Sequence, residues 1–418
     1  MTDRATTQDY SRIEVPAFAV DRRGAILNWI TIVLFLAFIL TPGAATLLGA
    51  PSWPVHENRA PTPWPAFPTD FRAAAAYPRQ VSAYINSHFG LRGMMITANS
   101  LARYKLGVSS VSNVVFGSDG WLFYAYNYEQ LLQQHTGQNV FRRVEDVDRW
   151  IDTLEAVQAW MNRRNIAFYI AVAPDKPTIY PELLPAYPPG STTRLEQIVK
   201  RLRERGSPLE FVDFRPALLE EKKSHRVYSK RDSHWNQRGA LVGYTELMKR
   251  IHGRFPDVPA LKIDDFDVVS MPDPSDLAWH LNLLDLYPYI PPYPPTPLAP
   301  RWTLIGDETV EGLRRRSPSH VLGSDVVAPK PGASWGWHVF HYKTDLVDRP
   351  RAVVFADSFT DFVMGPTALY QTFRDVVYTH NNGAALNFKL VEEVRPDLVI
   401  VVMAERYLQA EPLRPPTP

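Results

Sequence analysis

The sequence predicts an α/β protein, a parallel sheet flanked by helices, preceded by a single transmembrane helix. Three patterns predict it. An uncharged apolar run covers Ile26–Leu48. An amphipathic helix pattern at Val144–Met161 leads into a continuous apolar run, Ile166–Val172. From Arg351 onward, short apolar runs alternate with helical stretches, which is the signature of parallel strands joined by crossover helices.

The Ile26–Leu48 run is longer than the roughly 20 residues needed to cross a bilayer and carries no charge before Glu57. Arg22 and Arg23 lie just ahead of it, which places the N-terminus in the cytoplasm and the rest of the chain outside. The small residues Gly43-Ala44-Ala45 offer a signal-peptidase site as the competing reading, but the run exceeds a signal core of about 7–15 residues. An uncleaved anchor in the inner membrane is therefore expected. The expected organisation is a cytoplasmic tail (1–25), the anchor (26–48), a Pro- and Trp-rich tether (49–70) and one extracytoplasmic domain (71–418).

Composition narrows the functional classes. With 418 residues and 45% hydrophobic content, the chain can build a full core. A net charge of +1 gives nucleic acid no electrostatic handle. Cysteine is absent, so disulfides, thiolate metal sites and a cysteine nucleophile are excluded. The 38 prolines exceed the usual share of about 5% and concentrate in the tether and in Tyr287–Pro300, a run that suits neither helix nor central strand.

Along the domain, Phe71–Leu106 has helical spacing. The stripe Val144, Val147, Trp150, Ile151, Leu154, Val157, Trp160 and Met161 marks the core face of a helix. The strand after it ends at Pro174-Asp175-Lys176, and strand C-terminal ends are where open α/β sheets bind ligands. Lys176 is thus a substrate candidate, with a solvated turn as the alternative. A basic helix at 195–205 stops at Gly206, and its charges read as a wet face. A strand follows at 209–214. Asn236 is a natural N-cap for a helix at 237–251. Residues 256–345 are the least regular part. Strands are expected at 353–356, 375–379 and 398–403, with a helix at about 384–394.

The chemistry concentrates in two places. Arg231-Asp232-Ser233-His234-Trp235-Asn236 puts an acid and an imidazole two residues apart, on one side of an extended segment. Val353–Ala356 reads as a buried strand ending at Asp357-Ser358, where a strand-to-helix turn exposes a hydroxyl. A serine hydroxyl needs a base, histidine has the right pKa, and a carboxylate fixes the imidazole tautomer. Asp232, His234 and Ser358 are therefore expected to form one acyl-transfer site. The strand ends at Asn381-Asn382-Gly383 and Glu405-Arg406 share that sheet edge, so Asn381, Asn382 and Arg406 are substrate or oxyanion candidates; Asn-Asn-Gly serves equally as a turn. A metal trio of His225, Asp232 and His234 is the weaker alternative, because no His-x-x-x-His spacing supports it. His338 and His341 are further lining candidates. No cofactor or metal is expected.

Asp-Ser-His-Trp-Asn at 232–236 resembles the Asp-[Ser/Thr]-His-Trp-Asn block of the alginate O-acetyltransferase family, the AlgJ/AlgX-type proteins. Phe-Ala-Asp-Ser-Phe at 355–359 resembles its Gly-Asp-Ser-Phe block, with Ala356 in place of Gly. Gly117-Ser118-Asp119-Gly120-Trp121-Leu122-Phe123 is similar to its Gly-x-Asp-Gly-Trp-Leu-Phe segment, and Glu57-Asn58-Arg59 and Glu405-Arg406-Tyr407-Leu408 fit as well. The resemblance implies an SGNH-hydrolase-like fold and O-acetylation of an extracytoplasmic polysaccharide in the periplasm. It also implies a membrane-bound O-acyltransferase partner that passes acetyl across the bilayer. The same triad would serve a carbohydrate acetyl-esterase, and a degenerate site would leave a non-catalytic polysaccharide-binding subunit. The polymer, the acetyl donor and the oligomeric state are not legible.

Overall fold

The computed structural model describes residues 22–48, 62–125, 130–273, 275–283, 309–317, 320–327, 339–360, 364–380, 385–412 and 414–416. The chain falls into two compact units, Met1–Ala98 and Asn99–Pro418.

In the first unit, a helix covers Arg22–Leu47. Its segment Gly24–Leu47, with a mean hydropathy of 2.2, is long and apolar enough to cross a membrane. Its threonine hydroxyls stay inside the helix's own bonding: Thr31, Thr41 and Thr46 each donate to the carbonyl four residues back. A lipid-facing hydroxyl has no water to bond, so this back-bonding is what a spanning helix requires. A second helix, Phe71–His88, starts at Asp70, whose carboxylate accepts the Ala73 N–H. It buries none of its residues. The helix expected over 71–106 is thus two: the first ends at His88 and another runs Arg92–Lys105.

The second unit is a mixed α/β domain with an N-terminal hairpin of β1 (Val114–Phe116) and β2 (Leu122–Tyr124). The main sheet is built from β3 (Ala167–Ala173), β4 (Phe211–Asp213), β7 (Val321–Val327), β8 (Val339–Thr344), β9 (Arg351–Ala356), β10 (Asp375–His380) and β11 (Leu398–Ala404). Their order is β4-β3-β11-β9-β10-β8-β7. The first five are mutually parallel, and β8 and β7 add two antiparallel strands at one edge. A separate hairpin pairs β5 (Phe266–Pro272) with β6 (Thr309–Arg315). The irregular stretch 256–345 therefore contributes the antiparallel strands β5, β6, β7 and β8, whose sequences lack the solid apolar runs of β3 and β11. The Tyr287–Pro300 run and His338 lie outside the described residues.

β3 and β11 are apolar throughout because both of their faces are covered. On β11, Leu398, Ile400, Val402 and Ala404 face one core while Val399, Val401 and Met403 face the other. Each such buried aliphatic side chain contributes about 1.5–3 kcal/mol. One face is covered by the helix Gln237–Ile251, through Leu241, Tyr244, Leu247, Met248 and Ile251. The other is covered by Val144–Asn162, through Trp150, Leu154, Val157 and Trp160. A capping box of Thr193 and Glu196 starts the basic helix Arg194–Arg205. Its arginines do more than face water: Arg201 grips Asp148 at 2.7 and 2.9 Å, and Arg205 reaches Asp148 and Asp152.

Candidate active site

Asp232, Ser233 and His234 sit in the loop ahead of the helix Gln237–Ile251, and the next two residues lock that loop. Asn236 caps the helix by accepting the Gly239 N–H at 2.9 Å, while its amide donates to the Arg226 carbonyl at 2.6 Å. Trp235 is 1% exposed, and its indole N–H donates to the Phe359 carbonyl at 2.9 Å. The loop is thereby tied to the turn that carries Ser358, 124 residues away in sequence. A Cβ on Gly243 would stand 2.9 Å from the Trp235 ring, so that close approach requires glycine.

Ser358 follows β9, where the backbone turns helical. Asp357 shapes this turn. Its buried carboxylate accepts the Phe359 N–H at 3.0 Å and the Ala404 N–H at 2.6 Å, binding the end of β9 to the end of β11. Burial pushes that carboxyl above its ordinary value, against the pull of Arg406. Since the Phe359 N–H is taken by Asp357, it is not a donor for a bound acyl oxygen. The Asp of Asp-Ser-Phe is a structural tie, a role the sequence did not suggest.

The three side chains meet. His234 Nε2 lies 2.7 Å from Ser358 Oγ, and His234 Nδ1 lies 2.6 Å from Asp232 Oδ1. Asp232 also accepts the His234 N–H at 3.0 Å and, through Oδ2, the Asp276 N–H at 2.9 Å. Asp232 and His234 are buried, whereas Ser358 is half-buried and is the open end of the chain of hydrogen bonds. Burial opposes charge on the imidazole, but the Asp232 carboxylate, by charge and hydrogen bond together, outweighs it and raises His234 above its ordinary value. For Asp232, burial raises the carboxyl, and His234 with the two main-chain N–H groups brings it below its ordinary value. The pair is thus set to hold the charged form, as a base that must receive a proton requires. The Phe359 ring packs edge-on against His234 at 5.0 Å, fixing the ring plane.

The remaining candidates divide. Lys176 begins a short helix, Lys176–Ile179, in place of a solvated turn, and is 2% exposed. Its ammonium donates to the carbonyls of Leu122 at 2.8 Å and Lys230 at 3.3 Å. Burial pulls it down to about 8, with Asp232 and Asp276 holding it up. It is a strut between β2 and the histidine loop rather than a substrate contact. Arg406 does lie at the same sheet edge, following β11, yet it is 4% exposed and donates through Nη1 to Asp175 Oδ1 at 2.9 Å. Glu405 accepts from Asp175 N and from the Thr178 hydroxyl, and burial, reinforced by Asp175, pushes it up to about 7. Asn381 and Asn382 lie outside the described residues. His341 bonds Asp375 at 3.2 Å, on the antiparallel side of the sheet.

The metal alternative changes its members. His225 pairs with Glu221 and Arg238. Among the described residues, the group with ligand atoms close enough for an ion, within 4.8 Å, is Asp232, His234 and Asp276. Their oxygens already accept protein hydrogens: Asp276 Oδ1 accepts the Ser233 N–H at 2.7 Å, and Asp276 Oδ2 the Ser233 hydroxyl. A cation there would have to displace these bonds. Asp276, spaced more than forty residues from the histidine loop, had no sequence signal.

A family model for an SGNH hydrolase-like domain, acetyltransferase AlgX, matches residues 114–304. The probable alginate O-acetylase AlgJ of Pseudomonas aeruginosa is 26% identical over 181 residues, which are 43% of this chain. The chain spans 43% of that relative's length. Similar solved structures are Bacillus cereus PatB1, 13% identical with a TM-score of 0.46 over 71% of this chain and 97% of that one, and the O-acetyltransferase domain of Pseudomonas putida AlgJ, 16% identical with a TM-score of 0.43 over 72% and 94%. Residues 114–304 are thus similar to the SGNH hydrolase-like domain of the AlgX acetyltransferase family.

Proposed function

We propose that the protein is an O-acetyltransferase that carries acetyl on Ser358 and passes it to hydroxyls of an extracytoplasmic polysaccharide. The observation that carries this reading is the continuous relay from Asp232 through His234 to Ser358, with contacts of 2.6 and 2.7 Å. In the first half-reaction, His234 Nε2 takes the Ser358 proton as Oγ bonds to the acetyl carbonyl carbon, and the donor's leaving group departs with that proton. In the second, His234 takes the proton of a sugar hydroxyl whose oxygen attacks the acetyl-Ser358 carbonyl. The ester moves to the sugar, and Ser358 recovers its hydrogen from His234. Asp232 holds the Nδ1 tautomer and stabilises the imidazolium in both.

The apolar helix Gly24–Leu47 supports an anchored enzyme, and Arg22 and Arg23 just ahead of it support a domain on the outer face of the membrane. Acyl-CoA is not expected there, so the donor is an acetyl group delivered by a membrane-bound O-acyltransferase. A groove of about 1060 Å³ beside the segment that leaves β11 is lined by Arg142, Arg143, Arg149, Arg194 and Arg414 against Asp146 and Glu411, and this excess of positive charge suits a polymer bearing carboxylates.

The test uses the full chain in detergent, a chromogenic acetyl ester and mass spectrometry. Acetyl on Ser358, passed on to an added oligosaccharide, supports the reading. Release of acetate with no transfer makes the protein an acetyl-esterase. Absence of any adduct on Ser358 overturns the catalytic reading in favour of a binding subunit.

A further inference from the structure

Ser233 stands between the two residues of the relay, and its hydroxyl lies 3.3 Å from His234 Nδ1. It donates to Asp276 Oδ2. Asp276 opens the short helix Asp276–His280, and the two segments hold each other reciprocally. The Asp276 N–H donates to Asp232 Oδ2 at 2.9 Å, the Ser233 N–H donates to Asp276 Oδ1 at 2.7 Å, and the Leu277 N–H donates to the Arg231 carbonyl at 3.1 Å. Asp276 Oδ2 also lies 3.6 Å from His234 Nδ1, behind the primary 2.6 Å contact with Asp232.

This arrangement is more than a turn. A loop needs one acid to fix a histidine tautomer, and Asp232 already does so. A second carboxylate beside it costs free energy through like-charge repulsion unless its charge is used. Here burial, and then the Asp232 charge, push Asp276 up to about 6, while the Ser233 N–H and hydroxyl both donate to its carboxylate. We propose that Asp276 is a positioning residue for the acyl-transfer site: clasped by Ser233, it fixes the Asp232–His234 pair in register and adds a second negative charge behind the imidazolium. This rests on the acyl-transfer reading only for its effect on rate; the clasp and its effect on His234 stand on geometry alone.

The other charged groups around the pair come from separate elements. Lys176 follows β3 and feels Asp232 and Asp276. Arg406 follows β11 and opposes a charged His234. Asp357 precedes the nucleophile and interacts with His234, and His280, on the Asp276 helix, interacts with Asp232. Substitution at 276 leaves these side chains in place, and it also removes one of the acids that hold up Lys176.

The experiment follows His234 by NMR of histidine-labelled full chain carrying Ser358→Ala, which needs no catalytic activity, and in parallel records the pH profile of kcat/KM for a chromogenic acetyl ester with Ser358 intact. Asp276→Asn keeps an acceptor for the Ser233 N–H but loses the charge. It is expected to lower the His234 midpoint and the acid limb by about one pH unit, the scale of a nearby opposite charge, and to cut kcat roughly tenfold, the rate cost of about 1.4 kcal/mol. Asp276→Glu is expected to restore the midpoint in part. A midpoint in Asp276→Asn equal to the parent's overturns the proposal. Should Asp276→Asn not fold, Ser233→Ala decides: a several-fold loss in kcat supports the clasp, and parental kcat overturns it. If no acetyl-Ser358 ever forms while the His234 midpoint moves as expected, the acyl-transfer reading fails and the clasp survives.

Discussion

Two buried charge clusters share the C-terminal edge of the sheet, and they do different things. Asp232, His234 and Asp276 form a relay that ends at the half-buried hydroxyl of Ser358. Among the described residues, Asp175, Glu405 and Arg406 form a relay that runs between buried groups. Arg406 donates to Asp175, Asp175 N–H and the Thr178 hydroxyl donate to Glu405, and Gln134 donates to the Arg406 carbonyl. Both are buried and both shift their acids. Only the first delivers its hydrogen bonds to a group that a substrate can reach. Shifted titration at a sheet edge therefore marks a site only when the network has an open end.

The comparison is broken most directly at Ser358. Ser358→Ala is expected to reduce acetyl-ester turnover by about 10³-fold or more, with unfolding unchanged within about 0.5 kcal/mol; turnover assays and denaturant melts on the same preparation decide it. A variant that retains activity removes the open end on which the contrast rests.

Arg406→Ala should do the reverse. It leaves Asp175 buried without its cation, at a cost of about 3–5 kcal/mol in stability, while turnover per folded molecule stays near the parent's. If Arg406→Ala melts like the parent but cannot form acetyl-Ser358, Arg406 belongs to the first cluster and the distinction fails.

Glu405 sharpens the contrast through pH. Its folded-state pKa, about 7, lies above the ordinary 4.5, so the folded protein binds more protons than the unfolded one between those values. Stability contributed by this group is therefore lost as pH rises from about 4.5 to about 7 and stays lost above. Glu405→Gln keeps an acceptor for Thr178 and should stabilise the protein on the order of 2 kcal/mol at pH 8, with a much smaller effect at pH 5, as thermal melts will show. His234 gives the activity counterpart: turnover should fall with acid through a midpoint above the ordinary value of 6.5, since a protonated imidazole cannot act as base.

The smallest effect is expected in the groove. Arg142→Glu should raise KM for a carboxylate-bearing polymer roughly tenfold, about 1.4 kcal/mol, and leave hydrolysis of a small acetyl ester unchanged. Steady-state kinetics with the two substrates separates the groove from the relay.

What the sequence determined by itself is everything encoded within a few residues. Apolar runs placed β3, β9, β10 and β11 to within a residue or two, because strands buried on both faces are near-continuous in apolar residues. The 3.6-residue stripe placed the helix Val144–Asn162, and Asn236 announced the start of the helix Gln237–Ile251. Residue chemistry pointed to Asp232, His234 and Ser358, since few side-chain combinations make an activated hydroxyl. What only the tertiary structure decided is what each charge touches. Lys176 and Arg406 look like ligand-binding cations in a sequence, but the fold encloses both in carbonyls and carboxylates. Asp276 and Asp357 look like ordinary acids, and the fold makes one the clasp of the histidine loop and the other the tie between two strand ends. The antiparallel strands β7 and β8 were equally hidden, since the mixed polar and apolar residues of 321–327 and 339–344 leave a weaker pattern. Propensity and periodicity are local properties of the chain; a hydrogen bond between residues dozens to hundreds of positions apart exists only once packing has brought them together.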